Sequence, residues 1–409
     1  MEFVELSEKE YRKYWETHPL KSFLSSPEIG KLRKKNGWNV VYLGLKENNN
    51  LVAATLLVSK KRHFNRLEFY APRGFLLDFN DENILSIFTK NIKDYIKKQK
   101  GYVLRIDPYV LYQQRNLDGE IVKDGWNNKK SVQNLEKLGY KKVQIKDMEQ
   151  VGWMFSLNLE GKTEKDILKE MKPNTRNTIR KASKIGTTIR ELDYDELDKF
   201  QSIMEETGER KNFSIRKLDY YQDMYKLFHD KGEIKYVITE LNLKEYIERL
   251  DNEQQDKKKE LEKLNDAKYN DGKRKAINNE IASIEKRKKE AIEIRKDKNK
   301  DIITLSGSMF IMIQPEIIYL SSGNYSEYMQ FNSQYLIQWD MIKYGLENNF
   351  KKHNFYGIPA DINLHPKDYG IYEFKAGFNG FMEQLIGEYV VATSPVYYLI
   401  NLIHKIKKS

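Results

Sequence analysis

The sequence predicts a mixed α/β protein built from two units, the second of which is interrupted by a pair of long helices. The 409 residues exceed what one hydrophobic core usually organises. Helical and extended patterns alternate along the first third of the chain, and they recur in a similar order after residue 152. Residues 242–302 have a helical pattern almost throughout, which indicates an insertion into the second unit.

The first unit is predicted to span residues 1–148. Its helices are expected where apolar residues recur at intervals of three and four, and its strands where apolar and β-branched residues run together. The predicted elements are helices at 7–16 and 83–98 and strands at 40–45, 51–58 and 102–106.

The second unit is predicted to span residues 149–241 and 303–409. Its predicted elements are strands at 153–159, 234–240, 303–313, 317–321 and 355–358 and helices at 172–186, 194–209 and 334–348. The tail, VYYLINLIHKIKKS, has apolar residues at helical spacing followed by lysines. It is expected either to pack on the protein itself, here on the first unit, or to lie on an anionic membrane.

The insertion at 242–302 predicts an antiparallel coiled-coil arm. Seam residues step by three and four on both sides of the turn Asn270-Asp271-Gly272, so that two helices fold back on each other. Lysine and arginine outnumber the acids in the arm. This excess favours an arm that binds nucleic acid over a solvated spacer, although both interpretations stay open.

Composition limits the classes of function. With 71 Lys+Arg against 60 Asp+Glu, the net charge is +11, which favours a polyanionic partner such as nucleic acid or an anionic membrane surface. The absence of cysteine excludes disulfides and thiolate chemistry and fits the cytoplasm. Neither a signal peptide nor a run of roughly 20 apolar residues is evident, so a soluble or peripheral protein is expected.

The segment KPNTRNTIRKASKIG forms a basic helix face. Lys172, Arg176, Arg180 and Lys184 recur at every fourth residue and therefore lie on one side of the predicted helix. Four like charges repel one another, and no acid is interleaved with them. This pattern favours phosphate groups as the counter-charge over a merely solvated face.

Two charged residues stand in apolar surroundings. Lys375 lies in IYEFKAGFNG, a segment predicted to be a buried strand, and a buried ammonium is costly unless it is paired or used. Asp107 ends the apolar run YVLRID and precedes Pro108, where an acid also commonly forms a turn. A third pattern, Arg216 with Tyr220 four residues later, would place a guanidinium and a phenol on one side of a helix start, suited to phosphate or carboxylate.

A set of motifs follows a fixed order along the chain, with the helical hairpin inserted among them: LRIDPYVLYQQRNLDGEIV, TRNTIRKASKIGTTI, TGERKNFSIRKLDYY, LSGSMFIM, QWDMIKYGLENN, NFYGI and YEFKAGF. In this order, the motifs resemble the FemABX family of non-ribosomal peptidyltransferases. The resemblance covers essentially the whole chain, including the position of the inserted hairpin.

The resemblance implies two subdomains similar to GNAT acetyltransferases, with the hairpin projecting from the second and helping to hold tRNA. It implies an enzyme that builds the cross-bridges of peptidoglycan from aminoacyl-tRNA as co-substrate, with no other cofactor and no metal. The acceptor would be the stem peptide of a precursor linked to UDP or carried as lipid II. The protein would then be cytoplasmic and peripheral at the inner membrane face, with related Fem-type proteins as further partners.

Site residues follow from the same resemblance. Lys375 matches a lysine at the reaction centre, where it would stabilise an oxyanion, and Asp107 matches a nearby acid that would orient or deprotonate the acceptor ammonium. Arg216 and Tyr220 match contacts to the precursor. A further basic contact falls near Lys31, Arg33, Lys34 and Lys35 in GKLRKKNGW. An inserted pair of residues would shift which of these cations matches, and Lys31 is the one assigned to the contact. Certain relatives have a precursor-binding tyrosine where this chain has Ser321, so Tyr319, two residues earlier, is the substrate-binding candidate for that contact.

Two competing functions remain. The first is a catalytically inert, basic scaffold on the same fold that binds nucleic acid or membrane. The second is an ordinary N-acetyltransferase, but such enzymes usually carry a glycine-rich pyrophosphate turn that opens a helix, and none is evident here.

Overall fold

The chain folds into two mixed β-sheets with helices packed against them. The computed structural model describes residues 1–264, 270–359 and 366–408. The first sheet has seven strands in the order β1-β2-β3-β4-β5-β15-β7. These strands are β1 (Glu2–Leu6), β2 (Asn39–Glu47), β3 (Asn50–Lys61), β4 (Leu67–Ala71), β5 (Gly101–Ile106), β7 (Lys141–Lys142) and β15 (Tyr389–Ala392).

The second sheet has eight strands in the order β6-β14-β8-β13-β12-β11-β10-β9. These strands are β6 (Leu111–Gln114), β8 (Trp153–Asn158), β9 (Thr188–Glu191), β10 (Ile234–Asn242), β11 (Ile302–Ile313), β12 (Glu316–Asn324), β13 (Lys352–Gly357) and β14 (Phe381–Leu385). Each sheet has one parallel pair, β4 with β5 and β12 with β13. The predicted mixed α/β class is confirmed.

Helices cover the sheets and form the inserted arm. They are α1 (Glu8–Thr17), α2 (Pro27–Lys35), α3 (Glu82–Lys98), α4 (Lys129–Lys137), α5 (Glu164–Glu170), α6 (Pro173–Ile185), α7 (Leu197–Lys211), α8 (Leu218–Phe228), α9 (Leu243–Glu262), α10 (Asp271–Lys298), α11 (Ser333–Glu347), α12 (Pro366–Ala376) and α13 (Val396–Lys408). Among the described residues, no helix is both long and apolar enough to cross a bilayer.

The two units repeat one arrangement of elements. The first runs β1-α1-α2-β2-β3-β4-α3-β5, and the second runs β9-α7-α8-β10-β11-β12-α11-β13, with the arm between β10 and β11. In both, an antiparallel set of strands is followed by a helix that crosses to a parallel strand. The arm therefore occupies the place in the second unit that the turn Asn48-Asn49, between β2 and β3, occupies in the first. The positive φ angles of this turn, 47° and 65°, suit a tight hairpin.

The units exchange strands, so the predicted boundaries at 148 and 303–409 are not the structural ones. β6, at 111–114, joins the second sheet by pairing with β14. β15, at 389–392, joins the first sheet by pairing with β5 and β7. The tail follows β15, and Ile400 of α13 packs on Tyr102 and Val103 of the first sheet.

The arm is an antiparallel pair of helices. Lys257 on α9 bonds Glu280 on α10 at 2.7 Å, and nearer the base Arg287 approaches Glu253 at 3.4 Å. Its buried seam residues Ile277, Ile284 and Ala291 are spaced by seven, as a heptad pattern requires. The part of the predicted arm at residues 265–269 lies outside the described residues.

Lys375 lies in the last turn of a helix, so its prediction as part of a buried strand was wrong. Tyr372, Lys375 and Ala376 are buried and Glu373 is exposed, which is the pattern of one helical face. The aromatic residues of IYEFKAGF also alternate along the sequence, and that spacing is equally typical of a strand.

Candidate active site

A cavity of about 630 Å³ lies between the two units. Helix α2 and strand β3 of the first unit line one side, and the start of α8 and strands β11 and β12 of the second line the other. The residues that matter below are Arg33, Trp38, Lys60, Arg216, Tyr220, Ser321 and Tyr356. We call this space the interdomain cavity.

Arg216 and Tyr220 meet in the interdomain cavity. Arg216 precedes α8, and its guanidinium lies 5.2 Å from the centre of the Tyr220 ring. Burial raises the pKa of the Tyr220 phenol, and the Arg216 charge opposes that rise. The pair therefore presents one charged and one neutral hydrogen-bond donor to a ligand.

Lys31 does not line the cavity, in contrast to its predicted role. Its ammonium pairs with Glu8 at 2.9 Å, on the side of α2 that faces α1. Arg33 lines the cavity instead, because two residues along a helix are about 200° apart. Its guanidinium lies 5.1 Å from the Trp38 ring, which Lys60 also approaches at 5.6 Å.

Tyr319 likewise does not reach the cavity. Its ring stacks on Phe310 in the core of the second unit, and its hydroxyl bonds Gln334 at 3.2 Å. The register between β11 and β12 shifts after Met309, so that Leu320 is an extra residue opposite no partner. Leu320 and Ser321 therefore both line the cavity, while Tyr319 points into the core.

Asp107 is buried beside Arg73. One carboxylate oxygen accepts a hydrogen bond from the Arg73 amide at 2.7 Å, and the other lies 3.6 Å from the guanidinium. Both side chains are only 3% exposed, so Asp107 does not face the cavity directly. Burial raises the pKa of Asp107 to about 6, against the opposing charge of Arg73.

Tyr356 connects this buried pair to the cavity, and it was missed at the sequence level. Its side chain lines the cavity. Burial raises the pKa of its phenol, and the Arg73 guanidinium beside it opposes part of that rise. Its backbone is left-handed, with φ of 61°, and its amide donates to Asn354 Oδ1 at 2.8 Å. The asparagine two residues before it is the one sequence signal for such a turn.

Lys375 contacts the segment that carries Tyr356. Its ammonium donates a 2.6 Å hydrogen bond to the carbonyl oxygen of Gly357, the residue after Tyr356. Burial, reinforced by the charge of Lys211, lowers the pKa of Lys375 to about 7. Within residues 1–264, 270–359 and 366–408, no carboxylate forms an ion pair with it. The amine of Lys375 therefore has a carbonyl oxygen as its partner. With a pKa of about 7, it is partly deprotonated near pH 7.

The four cations predicted to share one face of α6 have different surroundings. Arg176 donates to the carbonyl oxygens of Leu168 and Lys169 at the end of α5, at 2.9 and 3.1 Å. Arg180 and Lys184 instead line a groove of about 1030 Å³ between α6 and the arm. Lys172 is the N-cap residue immediately before the helix and is exposed.

One end of α6 abuts the turn that holds Lys375. The backbone amide of Lys172 donates to the carbonyl oxygen of Gly377 at 3.0 Å. The basic helix therefore runs from the neighbourhood of Lys375 to the groove beside the arm. In the described part of the chain, no group of three or more metal-binding side chains comes together.

The chain is similar to known proteins over its whole length. The model of the FemAB family matches residues 6–405. The aminoacyltransferase FemA of Staphylococcus epidermidis is 28% identical over 421 residues, which cover 100% of both chains. The aminoacyltransferase FemB of Staphylococcus epidermidis (strain ATCC 12228 / FDA PCI 1200) is 30% identical over 416 residues, covering 100% of this chain and 99% of its own.

Among solved structures, the crystal structure of FemX superposes with a TM-score of 0.76 at 24% identity. It covers 98% of this chain and 100% of its own. This likeness confirms the fold predicted from the family resemblance.

Proposed function

The chain belongs to the FemAB family and is an aminoacyltransferase, and we propose that it moves an aminoacyl group from aminoacyl-tRNA to the stem peptide of a peptidoglycan precursor. The acceptor is lipid II or a precursor linked to UDP, and the product extends a cross-bridge. Aminoacyl-tRNA is the co-substrate, and the reaction calls on no further cofactor because the ester is already activated.

The observation that carries this proposal is the position of Lys375 between two electropositive regions. On one side, its carbonyl partner Gly357 follows Tyr356, which lines the cavity with Arg216 and Tyr220. On the other side, the carbonyl oxygen of Gly377, two residues after Lys375, accepts from the amide of Lys172, the residue immediately before the basic helix α6. An anionic precursor in the cavity and a phosphate backbone along α6 would meet at Lys375.

The chemistry requires stabilisation of a tetrahedral oxyanion. The acceptor amine attacks the carbonyl carbon of the aminoacyl ester, and the new C–N bond forms as negative charge develops on the carbonyl oxygen. Lys375, when protonated, donates to that oxygen. The ester C–O bond then breaks, and the ribose hydroxyl of the tRNA leaves with a proton. The attacking amine loses one proton in exchange.

Asp107 acts in this scheme as a positioning residue. It holds Arg73, and Arg73 lies beside the phenol of Tyr356 in the cavity. Tyr356 is therefore the group of this set that would touch the acceptor. This differs from direct contact between Asp107 and the acceptor ammonium, which the family resemblance implied.

A transfer assay with alternative donors tests the proposed function. The purified protein is incubated with lipid II or the UDP-linked precursor and either a pool of charged tRNAs or acetyl-coenzyme A. Mass spectrometry should detect an aminoacyl residue added to the stem peptide only with charged tRNA. Transfer from acetyl-coenzyme A would support an N-acetyltransferase, and no transfer by folded protein from any charged tRNA would support the inert scaffold.

Arg216→Ala is expected to weaken precursor binding by about 1–3 kcal/mol, the scale of a charge-assisted hydrogen bond lost from one partner. Arg216→Lys should restore little of this, because lysine keeps the charge but loses the planar fork. Isothermal calorimetry with the UDP-linked precursor measures both. Lys31→Ala is the matched control and should bind normally, since Lys31 pairs with Glu8 outside the cavity. Unchanged affinity in both Arg216 variants would remove this arginine from the site.

Arg180→Glu combined with Lys184→Glu is expected to weaken binding of aminoacyl-tRNA by about ten-fold or more and to reduce its salt dependence, because both cations face the groove beside the arm. Fluorescence anisotropy over a salt series measures both effects. Lys9→Glu with Lys13→Glu is a matched control: it reverses two exposed lysines, also four residues apart, on α1. Equal losses in the two double variants would show only a general effect of charge and would contradict the groove as the tRNA site.

A further inference from the structure

The C-terminal helix α13 leaves an apolar face uncovered. On one side, Ile400 is buried against β5. On the other side, Tyr398, Leu399 and Leu402 are 58%, 51% and 56% exposed. Positions 398, 399 and 402 fall on one side of a helix, so these three side chains form a single exposed apolar stripe.

The end of the first sheet that adjoins α13 is strongly basic. The register pairs Lys61 with Leu67, Leu67 with Gly101 and Val103 with Ala392. These pairings bring the β3–β4 connection, the start of β5 and the end of β15 to the same end of the sheet. The cations of the β3–β4 connection, together with those of the last turn of α3 and the link from α3 to β5, are Lys61, Arg62, Arg66, Lys97, Lys98 and Lys100. Lys141 of β7 adds a further cation 5.9 Å from the Tyr398 ring.

Few acids offset this charge. Glu68 lies 3.7 Å from Arg62, and Asp94 lies 3.4 Å from Lys97. In sequence, α13 itself also ends in Lys405, Lys407 and Lys408. An apolar stripe bordered by an excess of cations is the pattern of a surface that binds anionic lipid.

The interdomain cavity opens near this surface. The Arg62 guanidinium lies 5.9 Å from the ring of Trp38, which lines the cavity. The next residue, His63, lies with its ring 6.5 Å from that of Tyr102, on which Ile400 packs. The β3–β4 connection at 62–66 therefore contacts Trp38 of the cavity on one side and Tyr102, on which α13 packs, on the other.

We infer that the apolar stripe of α13, together with the basic end of the first sheet, docks this protein on an anionic lipid bilayer. Tyr398, Leu399 and Leu402 would enter the boundary between headgroups and acyl chains, while the surrounding cations meet lipid phosphates. A second copy of the chain fits this surface poorly, because a two-fold contact would bring two basic patches together. The benefit of docking rests on the proposed function, since it would hold the cavity next to a lipid-linked acceptor.

Vesicle sedimentation tests the docking surface. The full chain should bind vesicles that contain phosphatidylglycerol, bind neutral phosphatidylcholine vesicles far less, and lose binding as salt is added. The triple variant Tyr398→Ser, Leu399→Ser, Leu402→Ser should lower the partition coefficient by about ten-fold or more. Because all three side chains are exposed, its thermal stability should match that of the unmodified protein.

A matched triple variant controls for the general loss of apolar surface. Ile292→Ser, Ile302→Ser and Met329→Ser remove side chains that are 46%, 55% and 53% exposed in the second unit. Vesicle binding by this variant should equal that of the unmodified protein. An equal loss of binding in both triple variants would overturn the assignment to α13.

Three other results would overturn the inference. These are absence of vesicle binding, equal binding to neutral and anionic vesicles, and loss of self-association by the α13 variant in ultracentrifugation without loss of vesicle binding. Transfer assays separate this inference from the proposed function. The α13 variant should transfer normally to the soluble UDP-linked precursor and poorly to lipid II in vesicles, whereas failure of the proposed function would abolish both and leave the sedimentation result intact.

Discussion

Lys375→Met is expected to slow single-turnover aminoacyl transfer by about 10²-fold or more, because it removes one preorganised donor from the oxyanion. Methionine keeps the length and apolar volume of the side chain, so the last turn of α12 should stay packed. Rapid-quench measurement with a saturating charged tRNA isolates the chemical step from substrate binding.

The same variant is expected to be at least as stable as the unmodified protein. A folded-state pKa of about 7 lies below the unfolded value of about 10.4, so the unfolded chain holds more protons between these two pH values. The stability of the unmodified protein should therefore rise relative to the variant from about pH 7 to about pH 10. Below pH 7 the ammonium is charged in both states, its burial cost is fully present, and the advantage of the variant should be largest.

Urea unfolding at several pH values measures this difference. Lys351→Met is the matched control, since Lys351 is an exposed lysine whose side chain is 59% accessible. The control should change neither stability nor transfer. A Lys375→Met protein that unfolds easily but transfers at a normal rate in its folded fraction would show that Lys375 is a structural residue.

Lys352→Met is expected to destabilise the fold by about 3–5 kcal/mol, the opposite of the result at Lys375. Lys352 bonds Glu316 at 3.1 Å and Glu383 at 3.0 Å, and both carboxylates are buried. Burial alone would lower the pKa of Lys352, but these two acids raise it well above its usual value. Removing the lysine would leave two buried negative charges without their shared partner.

Chemical denaturation with a paired rescue tests this ion network. Lys352→Met combined with Glu383→Gln should recover part of the lost free energy of unfolding, because one of the unpaired charges is then neutral. Lys351→Met again serves as the control and should shift stability by less than about 0.5 kcal/mol. A Lys352→Met protein as stable as this control would mean that the network adds nothing to the stability of the second sheet.

Local patterns in the sequence predicted the elements that depend on local interactions. Helix α1 begins where Ser7 accepts a hydrogen bond from the Glu10 amide, and its prediction at 7–16 differs by one residue at each end. The arm was recognisable because Ile277, Ile284 and Ala291 keep a heptad spacing along one long helix. Such signals are contained in a short stretch of chain and need no partner from elsewhere.

The parts of the site that were missed depend on contacts between distant segments. Arg73 and Asp107 are 34 residues apart, and nothing near Arg73 in the sequence marks it as a partner. The extra residue Leu320 turns Tyr319 into the core, and only the register with β11 reveals it. The exchange of β6 and β15 between the sheets likewise depends on pairing across the whole chain.

Photolabelling of the bound acceptor tests whether acceptor and donor meet between Tyr356 and Lys375. A UDP-linked precursor with a photoreactive group at the acceptor amine is cross-linked to the protein, and the labelled peptides are mapped by mass spectrometry. We expect labels within 354–358 and 371–378, and we expect unlabelled precursor to prevent them. Labels confined to the arm or to α13, with none near Tyr356 or Lys375, would contradict this location of the reaction.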